Sequence, residues 1–317
     1  MVGVPLTRNF TKHEAGGYAV SRNSMGMRDR EHEPARQEGR LRILVVGDSF
    51  TYGSGVAEPD RFMSHLSSAF PDVDFVNLGM PGCGVDQQFL AWRKFGAQLE
   101  HDLVLVTSWA ENIRRNLAQF RLWDERWEGE ESDGVLMWVP KPYFRLDGDG
   151  LVLEHVPCPA PRLYEELGDG VTDQGRFNGL RNLIRNMGPG VKDRLQGLLR
   201  WQPLPEYNSS DSQGWVLQRS ILELWAAESP VPVIFAPVPM YQHIEGSASS
   251  RSYRDRLAEL HEGGRVPVLD VLAELRAAPD TRALRFLTDI HMSQRGHRAF
   301  ADALVPGLRG FVEELTP

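Results

Sequence analysis

Short apolar runs alternate along this chain with longer stretches whose apolar positions recur every three or four residues. The runs predict strands over Arg42–Gly47, Phe75–Leu78, Leu103–Thr107, Val231–Pro237 and Val266–Val271. Runs this short and this uniformly apolar suit strands buried on both faces of a parallel sheet. The periodic stretches predict helices over Arg61–Phe70, Val85–Gln98, Gly214–Ala227, Arg251–Glu262 and Gly296–Leu315, the last with Phe300, Leu304, Leu308 and Phe311 on one face. Alternation of the two implies parallel pairing through right-handed crossovers. The expected fold class is α/β: a flavodoxin-like, three-layer arrangement with a five-stranded parallel sheet in the order 2-1-3-4-5 and helices on both faces.

Two segments stand outside the pattern. Residues 1–40 mix acidic and basic groups with few apolar anchors, and read as an N-terminal arm packed over a domain spanning 41–317, with disorder expected at its start. Residues 114–207 form a large insertion after the third strand, rich in tryptophan and tyrosine. Within it, Leu136–Val139 and Leu151–Val156 flank an Asp-Gly-Asp-Gly loop and predict a β-hairpin, while Phe177–Met187 and Val191–Trp201 read as helices. A long insertion at the carboxyl edge of a sheet is expected to shape a substrate pocket as a cap, although its tryptophans can equally build a small core of their own. Arg114 and Arg115, close behind Asn112, are candidates for an anionic substrate group or a solvated helix start.

Chemistry concentrates at two distant places. The first strand ends in Gly47-Asp48-Ser49, and ligands bind beyond the carboxyl ends of strands in open α/β sheets. Ser49 is there a candidate nucleophile, unless Asp48 and Ser49 only cap the next helix. Near the other end lie Asp289 and His291, just before the last helix. A serine hydroxyl needs a base near neutral pKa, and that base needs a carboxylate to hold its tautomer. Ser49, Asp289 and His291 supply all three groups. The competing residues are His297, inside the last helix, and Asp270, at the end of the fifth strand, where a capping role is expected.

These residues, with two further blocks, resemble the SGNH or GDSL hydrolase superfamily. Gly47-Asp48-Ser49 resembles its first block and Asn77-Leu78-Gly79-Met80-Pro81-Gly82 its second, in which Gly82 matches a glycine whose backbone N–H serves the oxyanion hole. The third block, usually Gly-x-Asn-Asp, is matched by Ala110-Glu111-Asn112-Ile113. Asn112 is then the side-chain donor of the hole, or Glu111 if the frame shifts by one. The resemblance implies catalysis by Ser49, Asp289 and His291, an oxyanion hole from Ser49, Gly82 and Asn112, and no metal or organic cofactor. Many members place the acid three residues before the histidine, where this chain has Thr288; the Asp-x-His spacing resembles that of alginate O-acetyltransferase-like members. Residues two apart on an extended strand share a face, so the spacing suits a hydrogen-bonded pair if the loop is extended.

A chain of 317 residues with 41% hydrophobic and 25% charged residues is ordinary for a globular enzyme, and a net charge of −8 gives no basic footprint for nucleic acid. Its 2 cysteines, Cys83 and Cys158, have no zinc-ligand spacing and form either one disulfide or two free thiols. No run approaches the ~20 residues of a membrane span and no signal-peptide pattern opens the chain, so a cytoplasmic location is expected. Val20–Asp29 resembles the segment that links an N-terminal anchor to the catalytic domain in relatives, so an anchored or exported protein is the alternative if such a segment precedes this chain.

The expected reaction is hydrolysis of a short O-acyl ester, such as an acetyl ester, of a small molecule or carbohydrate through an acyl-serine. The alternatives are an O-acyltransferase using the same acyl-enzyme, and a catalytically idle fold that binds a glycan or other ligand, motivated by the altered third block.

Overall fold

The computed structural model describes residues 3–124, 136–148, 150–167 and 202–316. At its centre four parallel strands lie side by side in the order Val73–Gly79, Leu41–Gly47, Leu103–Thr107, Val233–Phe235, which is 2-1-3-4 in chain order. Val45 of the first strand pairs with Asn77 on one side and Leu105 on the other. The interiors of these strands are buried on both faces: Ile43 to Val46 and Leu103 to Val106 are at most 1% exposed. Such burial requires helices above and below the sheet.

Helices Phe62–Ala69 and Gln294–Leu315 pack together through Phe62 and Phe300, ring centroids 5.1 Å apart. Helices Val85–Lys94 and Gln213–Glu228 meet through Phe89, Trp92 and Trp225, with Phe89 and Trp225 at 5.4 Å. The helix over Arg251–Glu262 has the bounds the periodicity predicts.

Two expectations about strands are corrected. The fourth strand is confined to Val233–Phe235, and the expected fifth reduces to one parallel bridge between Phe235 and Val268. Prolines explain both. Pro232 and Pro237 bracket the fourth strand and Pro267 lies in the fifth segment, and each lacks the N–H that a continuous ladder needs. The carbonyl of Pro267 still accepts from the Phe235 N–H at 2.9 Å.

The hairpin expected between Leu136–Val139 and Leu151–Val156 does not form. Leu136–Pro140 pairs instead with Phe120–Asp124, and Gly150–Glu154 with Tyr143–Asp147. Asp147 and Gly150 pair directly, so closure is as local as a hairpin allows, while Pro140 and Pro142 cut the chain between the two ladders. The expected helices Phe177–Met187 and Val191–Trp201, and the insertion's Trp127, lie outside the described residues.

The Tyr143–Asp147 hairpin is joined to the core by Phe144, whose ring lies 5.8 Å from that of Phe89. Beside it the Lys141 ammonium pairs with the Asp86 carboxylate, their side chains 4% and 0% exposed. Burial raises the Asp86 pKa, against the pull of Lys141. Removing one partner of such a pair leaves a buried charge unmatched. Lys141→Met is therefore expected to cost about 3–5 kcal/mol in urea denaturation, and adding Asp86→Leu to recover most of it.

The N-terminal arm is ordered from early on. Arg8–Thr11 and Tyr18–Ser21 form an antiparallel hairpin, and the buried Arg28 guanidinium donates to the carbonyls of Gly53 and Val56. Cys83 is buried, Cys158 is exposed, and both are free thiols. No helix among the described residues is long and apolar enough to cross a membrane.

Candidate active site

The first strand delivers its carboxyl end into a crowded junction. A Cβ on Gly47 would lie 1.9 Å from Thr51 Oγ1 and 2.2 Å from the Thr107 carbonyl, so only glycine lets the chain turn here. Asp48 follows as the N-cap of the short helix Ser49–Tyr52, its carboxylate accepting the Phe50 N–H at 2.8 Å. Its other oxygen accepts the Trp109 N–H at 2.8 Å and a proton of the Asn112 side-chain amide. Burial raises the Asp48 pKa, while these backbone donors and the charges of Arg115 and His291 oppose the rise. Asp48 thus caps this helix, and Ser49 stands at its first position.

Ser49 Oγ lies 2.8 Å from His291 Nε2, and His291 Nδ1 lies 2.5 Å from Asp289 Oδ1. The structure brings these three residues into one hydrogen-bonded chain across 242 positions of sequence. The Asp289–His291 pair does not lie on extended backbone, the condition under which the two side chains would share a strand face. Residues 287–291 form a bend, and Asp289 Oδ1 accepts both the backbone N–H of His291, at 2.8 Å, and its ring N–H. A carboxylate that folds back on the residue two positions on makes an Asx-type turn, which aims the ring without a strand. Burial raises the Asp289 pKa, but the His291 hydrogen bonds and charge and the His13 hydrogen bond outweigh it and hold the carboxyl well below the usual carboxylate range. Phe50 packs beneath the His291 ring at 5.1 Å.

His297 and Asp270 lie elsewhere. His297 is fully buried, stacks on Phe62 at 6.0 Å and accepts its N–H through Nδ1 at 3.2 Å. Asp270 pairs with Arg254 at 2.7 Å and accepts the Leu272 N–H at 3.1 Å.

The expected oxyanion donors divide. The backbone N–H groups of Ser49 and Gly82 have no hydrogen-bond acceptor among the described residues. A Cβ on Gly82 would meet the Arg121 guanidinium, so a cation borders this glycine. Burial lowers the pKa of Arg121. The Asn112 side chain is fully buried and gives its two amide protons to Asp48 and, at 3.3 Å, to the Ser108 hydroxyl. Glu111 pairs with Arg114 at 3.4 Å, and Arg114 also binds Glu206. Asn77 donates to the Thr51 carbonyl at 3.1 Å, tying the second strand to the Ser49 helix. No group of three or more metal-ligating side chains occurs among the described residues.

Two residues at the site were not singled out by the sequence reading. His13 and Glu14, at the tip of the N-terminal hairpin, both contact Asp289. The nearest sequence signal was the polar tip itself, Lys12-His13-Glu14 ahead of Gly16-Gly17, with nothing to say what it touches.

No protein-family model matches the chain, and no curated protein matches it. Solved structures similar to it include a member of the lipolytic G-D-S-L family from Veillonella parvula (12% identity, 84% of this chain and 97% of that one, TM-score 0.43). Others are the lipase/acylhydrolase from Enterococcus faecalis (13%, 85% and 96%, 0.45) and a two-domain esterase active on acetylated mannans (13%, 88% and 51%, 0.39).

Proposed function

We propose that this chain is a serine ester hydrolase of the SGNH type, with Ser49 as nucleophile, His291 as general base and acid, and Asp289 as its orienting carboxylate. The observation that carries this reading is the unbroken path Ser49 Oγ–His291 Nε2, 2.8 Å, and His291 Nδ1–Asp289 Oδ1, 2.5 Å, at the end of the first parallel strand. With Nδ1–H held by Asp289, the lone pair on Nε2 faces the serine hydroxyl, the tautomer a general base needs.

Ser49 Oγ attacks the ester carbonyl carbon as its proton passes to His291 Nε2. The free N–H groups of Ser49 and Gly82 receive the oxyanion; the Asn112 amide, turned to Asp48 and Ser108, joins them only by exchanging one of those bonds. Loss of one such donor costs on the order of 10²–10³ in rate. Collapse breaks the ester C–O bond, and the leaving alkoxide takes the proton from His291. Water, deprotonated by the same nitrogen, then releases the acid from Ser49. The substrate class is a short acyl ester, acetyl above all, of a small molecule or carbohydrate.

The test is pre-steady-state hydrolysis of p-nitrophenyl acetate. A nitrophenolate burst stoichiometric with enzyme, followed by slower turnover to acetate, is the expected result. Absence of both burst and turnover favours an idle binding fold, and acetyl product found on an added alcohol in place of acetate favours an acyltransferase.

A further inference from the structure

The loop that carries Asp289 and His291 is tied down at its two ends, where Phe286 and Met292 are buried and the Phe286 N–H donates to the His291 carbonyl at 3.2 Å. Leu287 is 89% exposed and Ile290 48% exposed, so neither holds the loop to the core. Segments with few buried apolar contacts open locally at low cost, yet a general base must stay within hydrogen-bond reach of its serine. Between those ends, the stretch from Leu287 to Ile290 is held by contacts from elsewhere.

The tip of the N-terminal hairpin is in contact with it. His13 Nε2 lies 3.1 Å from Asp289 Oδ2, the carboxylate oxygen that His291 leaves free. The Ala15 backbone N–H donates to His13 Nδ1 at 3.2 Å, so in the neutral ring that nitrogen is the acceptor and the proton resides on Nε2, pointing at Asp289. The His13 side chain is only 9% exposed and lies edge-on to Phe286, the ring centroids 4.3 Å apart. Glu14, next along the tip, accepts the backbone N–H groups of Asp289 at 2.8 Å and Thr288 at 3.0 Å. These hydrogen bonds hold its carboxyl below the usual range, the Asp289 N–H foremost. One tip residue therefore fixes the Asp289 side chain and the other its backbone.

We propose that His13 is a positioning residue that extends the Ser49–His291–Asp289 chain by a fourth member, and that the N-terminal hairpin clamps the catalytic loop through His13 and Glu14. This rests on the serine-hydrolase reading above. The Nε2–H of His13 fixes the rotamer of Asp289, and Asp289 in turn fixes the His291 ring. Without it, Oδ2 turns to water and the carboxylate can rotate away from Nδ1. Partners that orient a metal ligand from behind carry a factor of about 10–100 in affinity or activity, and an effect at the lower end of that range is expected for a base oriented in the same way.

The experiment compares wild type with His13→Leu, which keeps bulk but has no donor, His13→Gln, whose amide can donate from nearly the same place, and Glu14→Ala, on an exposed side chain. His13→Leu should lower kcat on p-nitrophenyl acetate about tenfold with KM changed less than about twofold, because positioning acts on the chemical step. His13→Gln should restore most of kcat, and Glu14→Ala should lower kcat without changing the melting temperature. In proton NMR, the low-field His291 ring N–H signal should broaden in His13→Leu and return in His13→Gln. Wild-type kcat in a folded His13→Leu variant, with Ser49 still labelled by a fluorophosphonate, overturns the role of His13 and leaves the nucleophile assignment standing. No Ser49 adduct in the wild type overturns both. If His13→Leu fails to fold, Glu14→Ala decides, and an unchanged kcat there overturns the clamp.

Discussion

Replacing Ser49 by alanine is expected to lower ester turnover by about 10⁴-fold or more with folding unchanged. Among the described residues the hydroxyl makes one side-chain hydrogen bond, to His291, while the capping and packing of the junction belong to Asp48, Phe50 and Thr51. Removing one oxygen therefore takes away the nucleophile and leaves its setting intact. Intact-mass analysis after exposure to a fluorophosphonate should show one adduct on the wild type, located on the peptide containing Ser49, and none on Ser49→Ala. An adduct on a different serine, or turnover that survives the substitution, would sink the assignment.

The two histidines of the last segment should part company. His291→Ala is expected to remove turnover on a similar scale, since Ser49 then loses the base hydrogen-bonded to it, and to leave the melting temperature close to wild type because the ring sits on a bend at the surface of the core. His297→Ala should keep most of the turnover and lose stability instead, by about 1–3 kcal/mol, since the Phe62 N–H loses its buried acceptor. The pH dependence gives an independent check. Burial foremost, then the charge of Arg61, pushes the His297 pKa down to about 3 from 6.5. The unfolded chain then binds a proton there that the folded one refuses, between pH 6.5 and about 3. Stability linked to His297 is thus full above pH 6.5 and falls away as the pH drops toward 3. Urea denaturation across that window should show wild type losing stability more steeply than His297→Ala. A reversed ranking of the two variants in turnover would reassign the base.

The first three strands of the central sheet and the Gly47-Asp48-Ser49 turn were legible because each is written in consecutive residues. An apolar run of five or six residues ending at glycine has few alternatives, and the close approach of Thr51 and Thr107 to Gly47 explains why glycine stands there. The Arg251–Glu262 helix was legible for the same reason, its buried Tyr253, Leu257 and Leu260 falling at helical spacing. The pairing of the insertion strands was not. Leu136 and Leu151 both begin plausible strands, and only the closer partner of each, across the Asp147–Gly150 turn or in Phe120–Asp124, decided the register. The missing fifth strand shows a local signal, Pro267, outweighed in reading by the apolar residues around it.

Sequence by itself determined the α/β architecture, the presence of a serine at the end of the first strand, and an Asp-x-His pair ahead of the last helix. These are properties of neighbouring residues, set by backbone sterics, side-chain polarity and spacing. Only the tertiary structure decided what lies opposite each of them: that His291 and not His297 faces Ser49, that Asn112 spends its amide on Asp48, and that His13 reaches Asp289 from 276 positions away. Such meetings depend on how the buried strands and helices stack, a sum of many weak contacts across the whole chain, and no local pattern of residues encodes which hydrogen-bond donor arrives beside which acceptor.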